Sequence, residues 1–200
     1  MKYIWHVIIT TLLLTQNYKL VAQQDTNYAI IELEWNDFKI SNTLNNNYTA
    51  KVAVNHKCEI SYQLNTKEVS IILNSAVKLD KLNSKVDKTF LKKANNEEKI
   101  KLLEHEKGHI LISILYQYKL MEAFETYKFS NNYKEEVRNL VGKITQEKEE
   151  MNQLYDLETD HHRNQEAQKK WDEELWSAIN KYIKNNTIEW SFEKKRIITL

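Results

Sequence analysis

The sequence predicts an α+β fold in which a small antiparallel N-terminal sheet packs on long C-terminal helices. Between residues 29 and 78, apolar residues recur at short spacing and many are β-branched, a pattern typical of strands. Beyond residue 92 the apolar spacing becomes three and four and remains so almost to residue 185, as in helices. Because a sheet layer and a helix layer can share one core, we expect a single domain over residues 23–200.

Residues 1–22 have the layout of a secretory signal peptide. Lys2 precedes a short apolar run at residues 7–14, and a polar stretch then leads to the small residue Ala22, as at a cleavage site. The run is shorter than the about 20 residues that span a bilayer, and no Cys follows it to accept a lipid. We therefore expect a secreted or periplasmic bacterial protein without a stable membrane anchor.

Asn-rich turns separate the predicted strands. Apolar segments at residues 52–54, 60–62 and 69–73 alternate with breaks at residues 45–47 and 65–66. Asn tolerates the backbone conformations of turns. The Asn residues therefore take the place that Gly and Pro have in the turns of other chains. This chain has two Gly and no Pro.

The first long helix is predicted from Asn95 to about Tyr127. Asn95 can cap its N-terminus, and Glu98, three residues later, completes a capping box. Apolar residues occur nearly all around this helix, so it should lie at the centre of the fold. A second helical stretch keeps one apolar stripe over residues 133–182, and alternating apolar residues at 188–192 predict a closing strand.

Charge and cysteine content exclude two classes of protein. The chain has 29 basic and 28 acidic residues, for a formal net charge of +1, so no net field attracts nucleic acid. Cys58 is the only cysteine, so an intramolecular disulfide framework is excluded.

The central helix contains a metal-binding motif. Residues 105–109 read HEKGH, which matches H-E-x-x-H. Four residues make about 1.1 helical turns, so His105 and His109 leave the same face and can share one Zn²⁺, while Glu106 can act on a water molecule. Two imidazoles and a carboxylate on an apolar helix carry a desolvation penalty that a metal removes.

A third protein ligand must come from elsewhere, because a catalytic zinc site takes three protein ligands and one water. Polar residues around His161 interrupt the apolar stripe of the second helical stretch and need partners if they face the core. His161 lies on this stripe, whereas His162 is rotated about 100° away from it. We therefore favour His161 as the third ligand, with Glu158 and Asp156 as alternatives.

Residues 102–109 (LLEHEKGH) and 155–171 (YDLETDHHRNQEAQKKW) together resemble the bacterial zinc-dependent protease family catalogued as domain of unknown function 922. The family pattern is H-E-Q-x-H-F, then Y-D-x-x-T-x-H-G and Q-x-x-W. The matched positions are His105, Glu106, His109, Tyr155, Asp156, Thr159, His161, Gln168 and Trp171. Residues 35–38 also resemble the family's opening strand, whereas His162 replaces a Gly of the pattern.

The resemblance implies a zincin-like hydrolase that acts on a peptide or protein substrate with Zn²⁺ as its cofactor. His105, His109 and His161 would hold the metal, and Glu106 would move the proton of the attacking water to the leaving amine. A peptide could add to an edge strand such as residues 69–73.

Three further residues have expected roles around the metal. Tyr155 is the expected oxyanion donor. Asp156 and Thr159 are expected behind the ligands, because metal-bound imidazoles donate their other N–H to a carboxylate or carbonyl.

The alternative is a non-catalytic envelope protein that uses the same helices as a structural metal site or as a partner-binding surface. A structural site needs no general base and prefers four protein ligands. The motif's Glu106 therefore favours the hydrolase over this alternative.

Overall fold

The computed structural model describes residues 33–42, 44, 49–64 and 69–182, and the backbone of residues 193–199. The predicted signal peptide and the alternating residues at 188–192 lie outside the described residues. All described residues belong to one unit, residues 33–200. None of their helices is long and apolar enough to cross a membrane.

Two three-stranded sheets form from the strand-like half of the chain together with its C-terminal segment. The first has the order β1-β5-β2 and consists of β1 (Lys39–Ser41), β2 (Ala50–Lys51) and β5 (Lys85–Asp87). The second has the order β3-β4-β6 and consists of β3 (Val54–Leu64), β4 (Val69–Leu79) and β6 (Glu193–Thr199). The second sheet is antiparallel, as predicted, whereas β1 and β5 run parallel.

Two details of the predicted strands are wrong. Residues 69–73 belong to β4, which pairs with β3 on one side and β6 on the other. They are therefore not an edge strand to which a peptide can add. Residues 35–38 do not open a strand, because Trp35–Asp37 forms a 3₁₀ turn whose N–H and carbonyl groups pair locally.

In the described part of the chain, four helices lie between β5 and β6: α1 (Lys88–Lys93), α2 (Asn96–Thr126), α3 (Tyr133–Thr159) and α4 (Gln165–Asn180). The predicted start of α2 is confirmed. The Asn95 side chain accepts a hydrogen bond from the Glu98 N–H at 2.9 Å, and the Glu98 carboxylate accepts one from the Asn95 N–H at 2.8 Å. The helix ends at a Tyr127 cap, also as predicted.

The central position of α2 follows from its apolar circumference. It packs on α3, α4 and β4 at once. Leu120, Met121 and Phe124 of α2 form a core cluster with Ile71 and Leu73 of β4, joined by Val137 of α3. Gln117 of α2 donates a hydrogen bond to the Ser75 carbonyl of β4 at 2.9 Å. This packing fixes α2 against the sheet and so fixes the motif at residues 105–109.

The second predicted helical stretch is two helices, because the chain turns back after Thr159. Asp160, His161 and His162 have positive φ angles of 47°, 51° and 84°, and left-handed residues end a helix. Asn164 then caps α4 by accepting a hydrogen bond from the Ala167 N–H. The turn places α4 on α2 beside α3 and carries His161 away from any helical stripe.

Candidate metal centre

The motif residues lie on the buried side of α2. His105 and Glu106 are 2% and 3% exposed, and His109 is half-buried. Helical spacing puts both imidazoles on the same side, with ring centroids 5.0 Å apart. Burial follows from the sheet and the two helices that pack around α2.

The Asp156 carboxylate, on α3, lies among the three predicted metal ligands. Its Oδ1 is 3.1 Å from Nε2 of His105, 3.1 Å from Nε2 of His109 and 3.6 Å from Nδ1 of His161. His105, Asp156 and His161 offer ligand atoms that all lie within 4.8 Å of one another. These three residues could hold a metal ion, and His109 stands beside them on the same carboxylate oxygen.

The distances from Asp156 Oδ1 to the three imidazoles are close to those between neighbouring ligand atoms of one small cation. Zinc bonds of about 2.0–2.1 Å in tetrahedral geometry place ligand atoms about 3.3 Å apart. The three distances from Asp156 Oδ1 are 3.1, 3.1 and 3.6 Å. Nitrogen and carboxylate donors of this kind suit zinc and several other divalent metals.

The ring nitrogen of His105 that points away from Asp156, called its outer nitrogen below, faces an amide oxygen. Its Nδ1 is 3.3 Å from Oε1 of Gln168 and 3.3 Å from the Thr159 hydroxyl. The amide orientation is set because Gln168 Nε2 donates to the Tyr155 hydroxyl at 2.7 Å and to Asp172 at 2.9 Å. Thr159 therefore lies at the side of the His105 ring that faces away from Asp156.

The outer nitrogen of His109 has the same kind of partner. Its Nδ1 is 2.8 Å from Oδ1 of Asn152, whose Nδ2 donates to the Lys148 carbonyl. Both imidazoles thus have an oxygen acceptor at each ring nitrogen, with Asp156 on the inner side. A neutral imidazole carries one N–H, so each ring needs a second proton or a cation. A metal at the inner nitrogens satisfies both rings at once.

The charges of the cluster favour a cation there. Burial alone would raise the pKa of Asp156, but hydrogen bonds from His105 and His109 hold that pKa well below its usual range. Burial lowers the pKa of His109, while Asp156 and Glu106 together raise it above its ordinary value. Asp156 is therefore a carboxylate at neutral pH.

Glu106 is held beside this group by the backbone of residue 52. The Val52 N–H donates to Glu106 Oε2 at 2.6 Å. Burial raises the pKa of the Glu106 carboxyl, while His109, His105 and the Val52 N–H lower it, for a net rise. The result is a buried, oriented carboxyl group whose pKa lies above that of an exposed Glu.

A cleft of about 460 Å³ opens onto the motif. One wall is residues 49–54, which include the edge strand β2, and the other is the side of α3 that carries Asn152 and Asp156. His161 and His162 both line this cleft. The segment at residues 49–54 therefore occupies the place that residues 69–73 were expected to fill.

Tyr155 does not line the cleft. It is fully buried, stacks on the His105 ring at 4.7 Å between centroids and donates its hydroxyl hydrogen to the His105 carbonyl at 3.0 Å. This position does not suit an oxyanion donor. It suits a side chain that holds the His105 ring in place.

The two alternatives to His161 differ in their positions. Glu158 is exposed and accepts a hydrogen bond from the Trp171 indole N–H at 2.8 Å, so it points away from the cluster. Asp156 lies inside the cluster rather than behind it, which differs from the expectation that it orients a ligand. His161 also lies there, although the helical-stripe argument that selected it does not hold.

Sequence reasoning missed three contributors. Asn152 had a detectable signal, because it lies one helical turn before Asp156 on the same face of α3. Gln168 was matched to a family position but had no assigned role. Val52 contributes a backbone N–H from a distant segment, and no sequence pattern reports such a contact.

Asp172 gives the first testable prediction, a pH-dependent stability. Burial raises its pKa to about 6, while the Gln168 hydrogen bond lowers it and Glu104 raises it. Because the folded pKa lies above the unfolded one, the free energy of unfolding falls as the pH rises from about 4 through about 6. Asp172→Asn keeps the acceptor oxygen and removes the charge, so it should stabilise the protein by about 1 kcal/mol near pH 8.

Urea unfolding of wild type and Asp172→Asn across that pH range measures the effect. The extra stability of Asp172→Asn over the wild type should shrink as the pH is lowered towards about 4. Glu174→Gln, which also removes one negative charge from an exposed position on the same helix, is the control and should give no comparable gain near pH 8. A gain independent of pH would contradict the buried-charge explanation.

Comparison with known proteins finds one family. A family model described as bacterial protein of unknown function (DUF922) matches residues 25–163. The match includes α2, α3, Asp156 and the three histidines around its Oδ1, and it ends in the turn before α4. No curated protein and no solved structure matches the chain.

Proposed function

We propose that the chain, which belongs to the bacterial family DUF922, is a zinc-dependent peptidase. Its two motifs carried the resemblance to this family. We further propose that it acts in the periplasm or outside the cell, on peptide or protein substrates. The family description names no activity, so the support comes from the site. One observation carries the proposal: His105 and His109 each have an oxygen acceptor at both ring nitrogens, and one cation at the nitrogens that face Asp156 would satisfy both rings.

His105, His109 and His161 are the proposed zinc ligands. Asp156 is close enough to all three to join them. Gln168 and Asn152 accept the outer N–H groups of His105 and His109, which directs the inner lone pairs towards the metal. When bound, zinc supplies Lewis-acid polarisation of a carbonyl group and lowers the pKa of water.

Glu106 is the proposed general base. The Val52 N–H on Oε2 fixes the plane of the carboxylate, which leaves Oε1 as the oxygen for proton transfer. Its raised pKa favours both taking the proton of an attacking water and returning it to the amine nitrogen that leaves. A buried carboxylate with no catalytic task would be a costly feature of a structural site.

The cleft suits an extended chain better than a compact ligand. It runs between the backbone of residues 49–54 and the side of α3. An extended peptide can bind there by hydrogen bonds to backbone groups, a mode that fixes register with little dependence on side chains.

Hydrolysis by a Glu106→Gln variant tests the proposal. The purified protein is loaded with one equivalent of Zn²⁺ and incubated with casein and a mixed peptide library, and cleavage is followed by mass spectrometry. We expect wild-type cleavage and a loss of roughly 10²- to 10⁴-fold in Glu106→Gln, because the base is removed. Zinc content, measured by plasma mass spectrometry, should stay the same.

Glu104→Gln is the matched control, because Glu104 lies on the same helix, is exposed and pairs with Lys107. It should keep full activity. Full activity in zinc-loaded Glu106→Gln, or no cleavage by the wild type, would refute the proposal.

A second candidate function has one observation in its favour. Asp156 lies within 3.1–3.6 Å of all three histidines, and if it also bound the metal the site would have four protein ligands, which is typical of structural zinc sites. The Co²⁺-substituted protein distinguishes the two. Acetohydroxamate should change the visible spectrum of an open site and leave that of a closed site unchanged.

A further inference from the structure

The turn after α3 holds three successive residues in the left-handed backbone region. Asp160, His161 and His162 are the only non-glycine residues with positive φ in the described part of the chain. L-residues with a side chain meet a steric cost in this region. At His162 φ is 84°, and a Gly at this position would adopt the same backbone without the steric cost. The presence of a side chain is therefore hardest to explain at His162.

The His162 side chain adds a second cost. Its Nδ1 is buried and has no hydrogen-bond partner, which holds for no other side-chain atom among the described residues. A buried polar atom without a partner destabilises the folded state. Neither the backbone nor the side chain of this residue is therefore explained by stability.

The position of His162 suggests a role in binding. Its side chain lines the cleft together with His105, Glu106 and Asp156, and its ring centroid is 6.4 Å from that of His105. It is not part of the group whose ligand atoms lie within 4.8 Å of one another. His162 thus stands at the cleft wall next to the metal group.

We propose that His162 binds the substrate, by a hydrogen bond from its imidazole to a carbonyl or carboxylate oxygen of a peptide in the cleft. A neutral imidazole has one N–H donor. This donor replaces the one expected from Tyr155, whose hydroxyl is engaged with the His105 carbonyl. The proposal rests on the proposed peptidase function and adds a substrate contact to it.

Two substitutions of His162 separate binding from backbone strain. His162→Gly and His162→Ala both remove the imidazole, but only Gly relieves the left-handed strain. We expect kcat/KM on the best peptide, and affinity for the zinc-loaded protein of the hydroxamate acetyl-Ala-Ala-NHOH, to fall about 100-fold in both. The midpoint temperature of the metal-free Gly variant should exceed that of the Ala variant by about 2 °C or more.

Asp160→Gly is the matched control. Asp160 belongs to the same turn, has positive φ, is exposed and does not line the cleft. Its replacement by Gly loosens the turn without removing a cleft side chain, so kcat/KM should stay at the wild-type value. His162→Asn, which tolerates the left-handed region and carries an amide donor, should retain part of the hydroxamate affinity.

The outcomes are distinct. Unchanged kcat/KM and unchanged hydroxamate affinity in His162→Ala would overturn the inference while leaving the peptidase function intact. An equal loss in Asp160→Gly would also overturn it, because the shape of the turn would then be responsible. If the zinc-loaded wild type neither cleaves peptides nor binds the hydroxamate, the proposed function fails, and this inference fails with it.

Discussion

Gly108→Ala is expected to lower the free energy of unfolding by about 3 kcal/mol or more, the upper end of the cost of overpacking a core. A Cβ at Gly108 would lie 2.1 Å from the Tyr155 hydroxyl oxygen and 2.4 Å from its Cζ. Both distances are far inside van der Waals contact, so the tyrosine must move. Domain stabilities are about 5–15 kcal/mol, so this loss is a large fraction of the total.

Tyr155 cannot move without disturbing His105 in the candidate metal centre. Its side chain is fully buried, stacks on His105 and bonds to both the His105 carbonyl and Gln168. Ala is the better helix former by about 1 kcal/mol, which is too small to offset the clash. We expect the variant to lose metal affinity as well, because the His105 ring loses its support.

Gly142→Ala is the matched control, since it exchanges the same residues in the middle of α3. A Cβ there meets nothing within 4 Å, so the substitution should raise stability by up to about 1 kcal/mol. Urea unfolding of both variants measures the contrast. A double variant tests the cause: Gly108→Ala should cost much less when Tyr155 is also changed to Leu. If Gly108→Ala and Gly142→Ala changed the free energy of unfolding by small and equal amounts, the close packing of Gly108 on Tyr155 would be contradicted.

The sequence predicted the features that depend on neighbouring residues. The Asn95 capping box and the end of α2 near Tyr127 follow from local chemistry, and the structure has both. The placement of His105 and His109 on one face follows from helical spacing alone. Such predictions succeed because each interaction spans no more than four residues.

The features that were missed depend on backbone reversals or on distant segments. The stripe argument assumed a continuous helix past Thr159, but none of the residues at the reversal is Gly, the usual signal for a helix end. The Val52 N–H reaches Glu106 across 54 positions. The parallel pairing of β1 with β5 joins residues 39–41 to residues 85–87, and periodicity carries no information about partners.

Removal of single side chains around Asp156 should divide them into two classes by their effect on metal affinity. His161→Ala is expected to lower zinc affinity by well over 100-fold, because it deletes a proposed ligand. Gln168→Ala and Asn152→Ala remove the hydrogen-bond partners of the outer imidazole nitrogens. Each should lower zinc affinity by about 10- to 100-fold. Competition with a chromophoric chelator measures all three on one scale.

Asp156→Asn decides which class the carboxylate belongs to. If Asp156 only oriented a ligand, its change to Asn would lower zinc affinity by about 10- to 100-fold. Its Oδ1 lies 3.1 Å from two imidazole nitrogens that face the metal position, and the charge of a carboxylate is lost in Asn. We therefore expect the larger loss, equal to that of His161→Ala.

His162→Ala is the control for this series, because it alters the neighbouring histidine without touching the group within 4.8 Å. It should keep wild-type zinc affinity. If His161→Ala keeps the metal while His162→Ala loses it, the ligand assignment is reversed, and the same result removes His162 from the substrate side of the cleft. One set of affinities thus tests the metal ligands and the proposed substrate contact against each other.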